Sequence, residues 1–191
     1  GTQAQPLMMN QYHTWPTWSA DGTRLAASRV IVEESGARIS LQALDARNGS
    51  SETIYEDGQA GLVADGAPHY IYWAPTGDQV SFLAATPNGL TLFVWDGTAG
   101  SPAAQIDRGA PLYYQWSKDA QAMVLHIGPE LIWTNSSNAD SSRHSFQSAG
   151  NFRVPAVSPD GLSLAYVDRT IDGAGLYLAP TSDLSQARKI V

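Results

Sequence analysis

The sequence contains no cysteine. That absence removes disulfides, thiol catalysis and thiolate metal sites together. It also lacks any apolar run long enough to span a bilayer, so direct membrane insertion is not expected. Basic residues are few and scattered: 11 Lys and Arg stand against 18 Asp and Glu, a formal charge of −7. Such an acidic surface with no basic cluster disfavours nucleic acid and anionic membrane as partners, and neither is expected. No basic, apolar and small-residue leader opens the chain, so no leader or anchor is expected within these 191 residues. Catalytic signatures are missing too. There is no Gly-x-Ser-x-Gly elbow and no glycine-rich phosphate loop; "DGAGLY" at Asp172–Tyr177 reads as a hairpin turn. The four histidines, His13, His69, His126 and His144, form no His-x-His or His-Glu-x-x-His pattern. Asp96–Asp107 lacks the regular acidic spacing of a calcium loop. No catalytic residue, metal ligand set or cofactor is expected.

What the chain has is a repeat. "WPTWSADGTRLAAS" (Trp15–Ser28) returns as "YIYWAPTGDQVSFLA" (Tyr70–Ala84), "YYQWSKDAQAMVLH" (Tyr113–His126) and "VPAVSPDGLSLAYV" (Val154–Val167). With Trp18, Trp73, Trp116 and Val157 as anchors, the spacings are 55, 43 and 41 residues. Seven residues after each anchor stands an apolar residue: Leu25, Val80, Met123 and Leu164. A second apolar run begins at Leu41, Leu92, Leu131 and Leu176, which lie 23, 19, 15 and 19 residues after their anchors. The first interval is constant and the second varies, as expected if hairpin-loop insertions fall between the second and third strands.

Val, Ile, Tyr, Trp and Phe dominate the runs, while Gly, Asp, Asn, Pro and Ser separate them, so the runs read as strands. No segment sustains an apolar pattern at helical spacing. Asp21-Gly22 and Asp160-Gly161 suit tight hairpins. Thr76 replaces the aspartate in the second copy. Ala120 replaces the glycine in the third, which predicts a different or slightly strained turn. Asn48-Gly49-Ser50 and Asn135-Ser136-Ser137 match the glycosylation pattern and read equally as turns. Each copy holds four strand candidates, and four strands in about 40–50 residues is the unit of a β-propeller blade. A sandwich needs no periodic anchor, and a β-helix has a shorter period. The expected fold is therefore all-β: one propeller domain of four four-stranded blades near residues 12–58, 66–109, 110–151 and 152–191.

The stretches "PTWSADGTRLAAS" and "PAVSPDGLSLAYV" resemble the Pro-x-Trp-Ser-Pro-Asp-Gly-x-x-Ile-Ala-Phe repeat of TolB-type, WD-repeat-like β-propellers, and "LQALDARNG" resembles its third strand and following turn. The likeness covers the chain from about Tyr12 onward; the second and third copies depart at Thr76 and Ala120. Such propellers usually have six or more blades. The resemblance therefore implies either a small ring or a section of a larger propeller. In the second case Gln5–Met9 would be the outer strand of a preceding or shared blade, and open blade faces would favour self-association. The family also implies a bacterial, periplasmic or otherwise extracytoplasmic setting and a protein or peptide partner. Relatives that carry such repeats beside a prolyl-oligopeptidase-like hydrolase, or as sugar-acting lyases with a metal in the channel, give the alternative of an accessory enzyme domain.

The candidate binding residues are aromatic. Three residues before the anchors stand Trp15, Tyr70, Tyr113 and Val154, which simple alternation puts on one face of their strands, opposite the anchors. Tyr72 is nearby, and His13 and His69 open the first strands of their copies. Trp15, Tyr70, Tyr72, Tyr113, His13 and His69 are the residues expected to meet a ligand, since Trp and Tyr dominate binding hot spots. Packing between blades is the competing reading for the aromatics, and a hydrogen-bonded strand-end histidine for His13 and His69. The anchors Trp18, Trp73 and Trp116 are expected in the core.

Overall fold

A computed structural model describes residues 12–33, 36–61, 68–87, 89–135, 143–145, 154–170 and 173–191. The segment Gln5–Met9 and the glycosylation-like residues Ser136 and Ser137 lie outside the described residues. The strands form four four-stranded antiparallel sheets, each in simple sequence order. The first blade holds β1 (Tyr12–Trp18), β2 (Arg24–Glu33), β3 (Gly36–Asp45) and β4 (Ser51–Gly61). The second holds β5 (His69–Trp73), β6 (Val80–Thr86), β7 (Gly89–Trp95) and β8 (Ala104–Arg108). The third holds β9 (Leu112–Trp116), β10 (Ala122–Ile127), β11 (Glu130–Asn135) and β12 (Arg143–Ser145). The fourth holds β13 (Ala156–Val157), β14 (Ser163–Thr170), β15 (Gly173–Pro180) and β16 (Arg188–Lys189), with a single 3-10 turn at Leu184–Gln186. These are the blades of a β-propeller.

The constant interval of seven has a direct cause. Each anchor pairs with the residue seven positions on: Trp18 with Leu25, Trp73 with Val80, Trp116 with Met123, and Val157 with Leu164. Three of the four turns between them share one set of bonds. In the first blade the Ser19 hydroxyl donates to Asp21 Oδ1 (2.6 Å), which also accepts from the Thr23 amide (3.0 Å), while the Arg24 amide donates back to Ser19 Oγ (2.9 Å). Ser117 with Asp119, and Ser158 with Asp160, repeat the arrangement. Ala120 holds φ +59° at the place where Gly22, Gly77 and Gly161 hold +69°, +77° and +76°. The third turn is thus the same turn, carried by a residue that pays a steric cost in the left-handed region.

The variable interval is not a loop insertion, as the sequence suggested. The β2–β3 ladder pairs ten residues on each strand, from Arg24–Asp45 to Glu33–Gly36. The β14–β15 ladder pairs eight and the β10–β11 ladder six. The added length is strand, and every one of these hairpins closes over two residues.

The described residues divide into two compact units, one drawn from Gly1–Pro87 and Leu92–Gln105, the other from Asn88–Thr91 and Ile106–Val191. In the first unit Leu41, Ala43 and Ile54 of the first blade pack on Trp73, Phe82 and Trp95 of the second. The Trp73 indole Nε1 donates to the Thr17 carbonyl at 3.2 Å, so the second anchor is fastened to the strand of the blade before it. In the second unit Val124 and Leu131 of the third blade pack on Leu164, Tyr166, Ala179 and Leu184 of the fourth. Burial of each large side chain of this kind contributes roughly 1.5–3 kcal/mol. Trp73 and Trp116 are buried as anchors should be, at 7% and 6% exposure, but Trp18 is 58% exposed. Trp73 is covered by the blade upstream of it, and no such blade covers Trp18 among the described residues.

Candidate functional site

Two of the six candidate residues share an uncommon backbone. Trp15 has φ +53° and Tyr70 has φ +48°, both in the left-handed region that bulky residues rarely enter. Each sits on a break in its ladder: the β1–β2 register shifts between Thr14 and Thr17, and the β5–β6 register between His69 and Tyr72. The same bulge therefore occurs three residues before the anchor in both blades of the first unit. It overturns the simple alternation expected from the sequence, because an extra residue on the bulged strand re-aims the side chain beside it.

The re-aimed rings meet. The centroids of Trp15 and Tyr70 are 5.5 Å apart with planes tilted by 38°, and the His69 ring lies 5.4 Å from Tyr70. The contact runs between β1 and β5, the first strands of adjacent blades. Half of Trp15 remains exposed, while Tyr70 and His69 are half-buried. The arrangement is a three-ring ledge with an indole as its open surface. Tyr72, on the same strand, is 44% exposed, and its carbonyl accepts from the buried Ser81 hydroxyl. His13 is half-buried and pairs in register with Arg29.

The third blade does not repeat the bulge. Tyr113 sits in an unbroken ladder opposite His126, with ring centroids 5.9 Å apart, and His126 is buried. Val154, the fourth member of the set, is exposed. Trp15, Tyr70 and His69 are thus brought together, while Tyr113 belongs to the other unit. Among the described residues no group of three His, Asp or Glu side chains is placed to hold a metal ion. No helix among them is long and apolar enough to cross a membrane.

The sequence reading missed a second polar feature of the first unit. The Arg24 guanidinium stands 5.1 Å from the Trp73 ring centroid and 5.2 Å from that of Trp95. It donates to Glu52 at 3.0 Å and lies 3.7 Å from Asp78. The signal was present: Arg24 is the residue six after its anchor, and the other copies carry Gln79, Ala122 and Ser163 there. In the turns, hydrogen bonds from the Ser19 hydroxyl and the Thr23 amide and hydroxyl lower the Asp21 carboxyl to about 2. Asp119 and Asp160 are lowered by the matching serine and amide bonds. These carboxylates are turn fasteners.

No protein-family model and no curated protein sequence matches the chain. Solved structures do. TolB from Acinetobacter baumannii is similar over 90% of this chain and 42% of its own, with 18% identity and a TM-score of 0.55. The β-propeller domain of the Trilobed protease from Pyrococcus furiosus is similar over 95% of this chain and 57% of its own, with 11% identity and a TM-score of 0.68. An oligogalacturonate lyase in complex with manganese is similar over 96% of this chain and 54% of its own, with 14% identity and a TM-score of 0.59. These likenesses show the propeller fold. The chain spans about half the length of these structures.

Proposed function

We propose that the chain is a non-catalytic propeller scaffold that binds a protein or peptide partner on the Trp15–Tyr70–His69 ledge. The observation that supports this is the pair of left-handed aromatic residues at one repeat position with their rings in contact. Holding a bulky residue in that region costs on the order of 1–3 kcal/mol, and such strain gathers at functional sites. A half-exposed indole backed by a tyrosine offers the large, rigid, amphipathic surface that binding hot spots use. Tyr72, Tyr113 and His13 are secondary candidates beside it. By its likeness to TolB the setting is extracytoplasmic. The exposed face of Trp18 is a further surface for self-association, which sedimentation of the wild type and Trp18→Arg would test.

The test is binding of an immobilised peptide library to the wild type and to Trp15→Ala/Tyr70→Ala. The expected result is a set of sequences held at least tenfold more weakly by the double variant. A set of peptides bound equally by both proteins would sink the assignment.

A second reading is favoured by the similar structures themselves, which include a propeller domain of a protease and a lyase, each about twice the length of this chain. On that reading the chain is the accessory propeller of a larger enzyme, a peptidase or a sugar-acting lyase. Labelling of the parent polypeptide by a fluorophosphonate probe would support the peptidase form. Manganese-dependent cleavage of oligogalacturonate would support the lyase form.

A further inference from the structure

The two units treat one repeat position in opposite ways. In the first unit Arg24, six residues after its anchor, fills the space between the first and second blades and is held by two carboxylates and two indoles. In the second unit the same position is Ala122, and the corresponding space between the third and fourth blades is an open cleft of about 540 Å³. Its walls come from the matching elements: Lys118 and Asp119 from the first turn of the third blade, Ala122, Trp133 from β11, and Asp160 and Leu162 from the first turn of the fourth. Leu162 stands at the repeat position of Asp78, five residues after its anchor, and Val157 at that of Trp73. The aromatic wall has moved from the downstream blade to Trp133 on the upstream one, and the turn carboxylates Asp119 and Asp160 stand in for Glu52 and Asp78.

We infer that this cleft is a binding site for a guanidinium group, seated between the Trp133 indole and the carboxylates of Asp119 and Asp160. The filled cleft in the first unit shows what this architecture accepts at that place. Truncation of arginine to alanine leaves the room, and the lining retains both kinds of contact that a guanidinium makes, a ring face and carboxylate acceptors. Asp160 Oδ1 accepts two turn bonds, and a carboxylate offers about four acceptor positions, so Asp160 can take a further donor. The volume falls within the roughly 300–1,000 Å³ usual for ligand clefts. Lys118 is the opposing element: it is exposed, lines the cleft and contributes a like charge that an entering cation must displace toward solvent. The site is separate from the Trp15–Tyr70 ledge and stands or falls without it.

The test is titration of the full chain with acetyl-arginine-amide, acetyl-lysine-amide, acetyl-citrulline-amide and free arginine, followed by calorimetry. Arginine amide should bind at least tenfold more tightly than citrulline amide, which has the same shape and no charge, and more tightly than lysine amide. Lys118→Met should strengthen binding several-fold. Ala122→Arg should abolish it by filling the cleft as Arg24 fills its own; should that variant fail to fold, Trp133→Leu should weaken binding at least fivefold. Tighter binding of the amide than of free arginine points to a polypeptide arginine, and the reverse to a small guanidinium compound; either supports the site. Equal binding of arginine and citrulline amides, equal binding of arginine and lysine amides, or full binding by folded Ala122→Arg would overturn the inference, as would no binding by the wild type.

Discussion

The Trp73 indole donates its one hydrogen bond to the carbonyl of Thr17, 56 residues earlier in the chain, and that bond ties the first strand of the second blade to the first strand of the first. Trp73 also carries much of the packing between these blades and provides one face of the Arg24 site. Trp73→Ala should therefore cost about 3–5 kcal/mol, the range for a buried tryptophan replaced by alanine. Trp18→Ala, at the equivalent but exposed position, should cost under about 1 kcal/mol. Urea denaturation of both variants checks the contrast.

The turn aspartates give a pH signature. Asp21, Asp119 and Asp160 have carboxyls held below their ordinary value of 3.8, with Asp21 at about 2. A group whose folded value is depressed contributes stability above its unfolded value and loses it as the pH falls through the folded one. Thermal stability should thus decline from about pH 4 toward pH 2. Asp21→Asn should flatten that decline, which melting curves across this range would show. A variant as steep as the wild type would contradict the role given to the Ser19–Asp21 bonds.

Ala120 and Gly77 form a reciprocal pair. Ala120 occupies a left-handed position that its counterparts fill with glycine, so Ala120→Gly should stabilise the fold by about 1 kcal/mol. At Gly77 an added Cβ would meet nothing within 4 Å, so Gly77→Ala should cost about the same amount through backbone strain alone. Chemical denaturation of the two variants should give shifts of opposite sign and similar size.

Trp15→Gly separates strain from binding. It relieves a strained φ worth on the order of 1–3 kcal/mol and forfeits a ring contact worth about 0.5–1.5 kcal/mol. Stability should hold or rise while partner binding falls. A marked loss of stability would identify Trp15 as a packing residue.

Much of this fold was legible because one short-range rule generates it. The seven-residue interval from Trp18 to Leu25 is a strand end, a fixed turn and a strand start, and each depends on neighbours only a few positions away. The exposure of Trp18 was not legible, since Trp73 is buried against a different blade and the local sequence around the two anchors is alike. Nor was the placement of Trp15 beside Tyr70. Alternation predicts faces only for an unbroken ladder, and both residues sit on bulges. Tyr113 shows the other side of this: its ladder is regular, and it has no left-handed counterpart to the other two. The cleft at Ala122 was readable in principle as a missing side chain, visible once the copies are compared six residues after the anchors.

The ladder lengths bear on how such a chain can change. Hydrogen-bonded and non-hydrogen-bonded pairs alternate along an antiparallel ladder, and a two-residue connection closes well on only one kind. Hairpins of six, eight and ten pairs all end on the same kind. Growth by two pairs, four residues at a time, leaves the closing geometry intact, while growth by one pair would demand a new turn. The far end of the β2–β3 hairpin is therefore a place where foreign sequence can be grafted in steps of four, with the blade beneath it unaware of the addition.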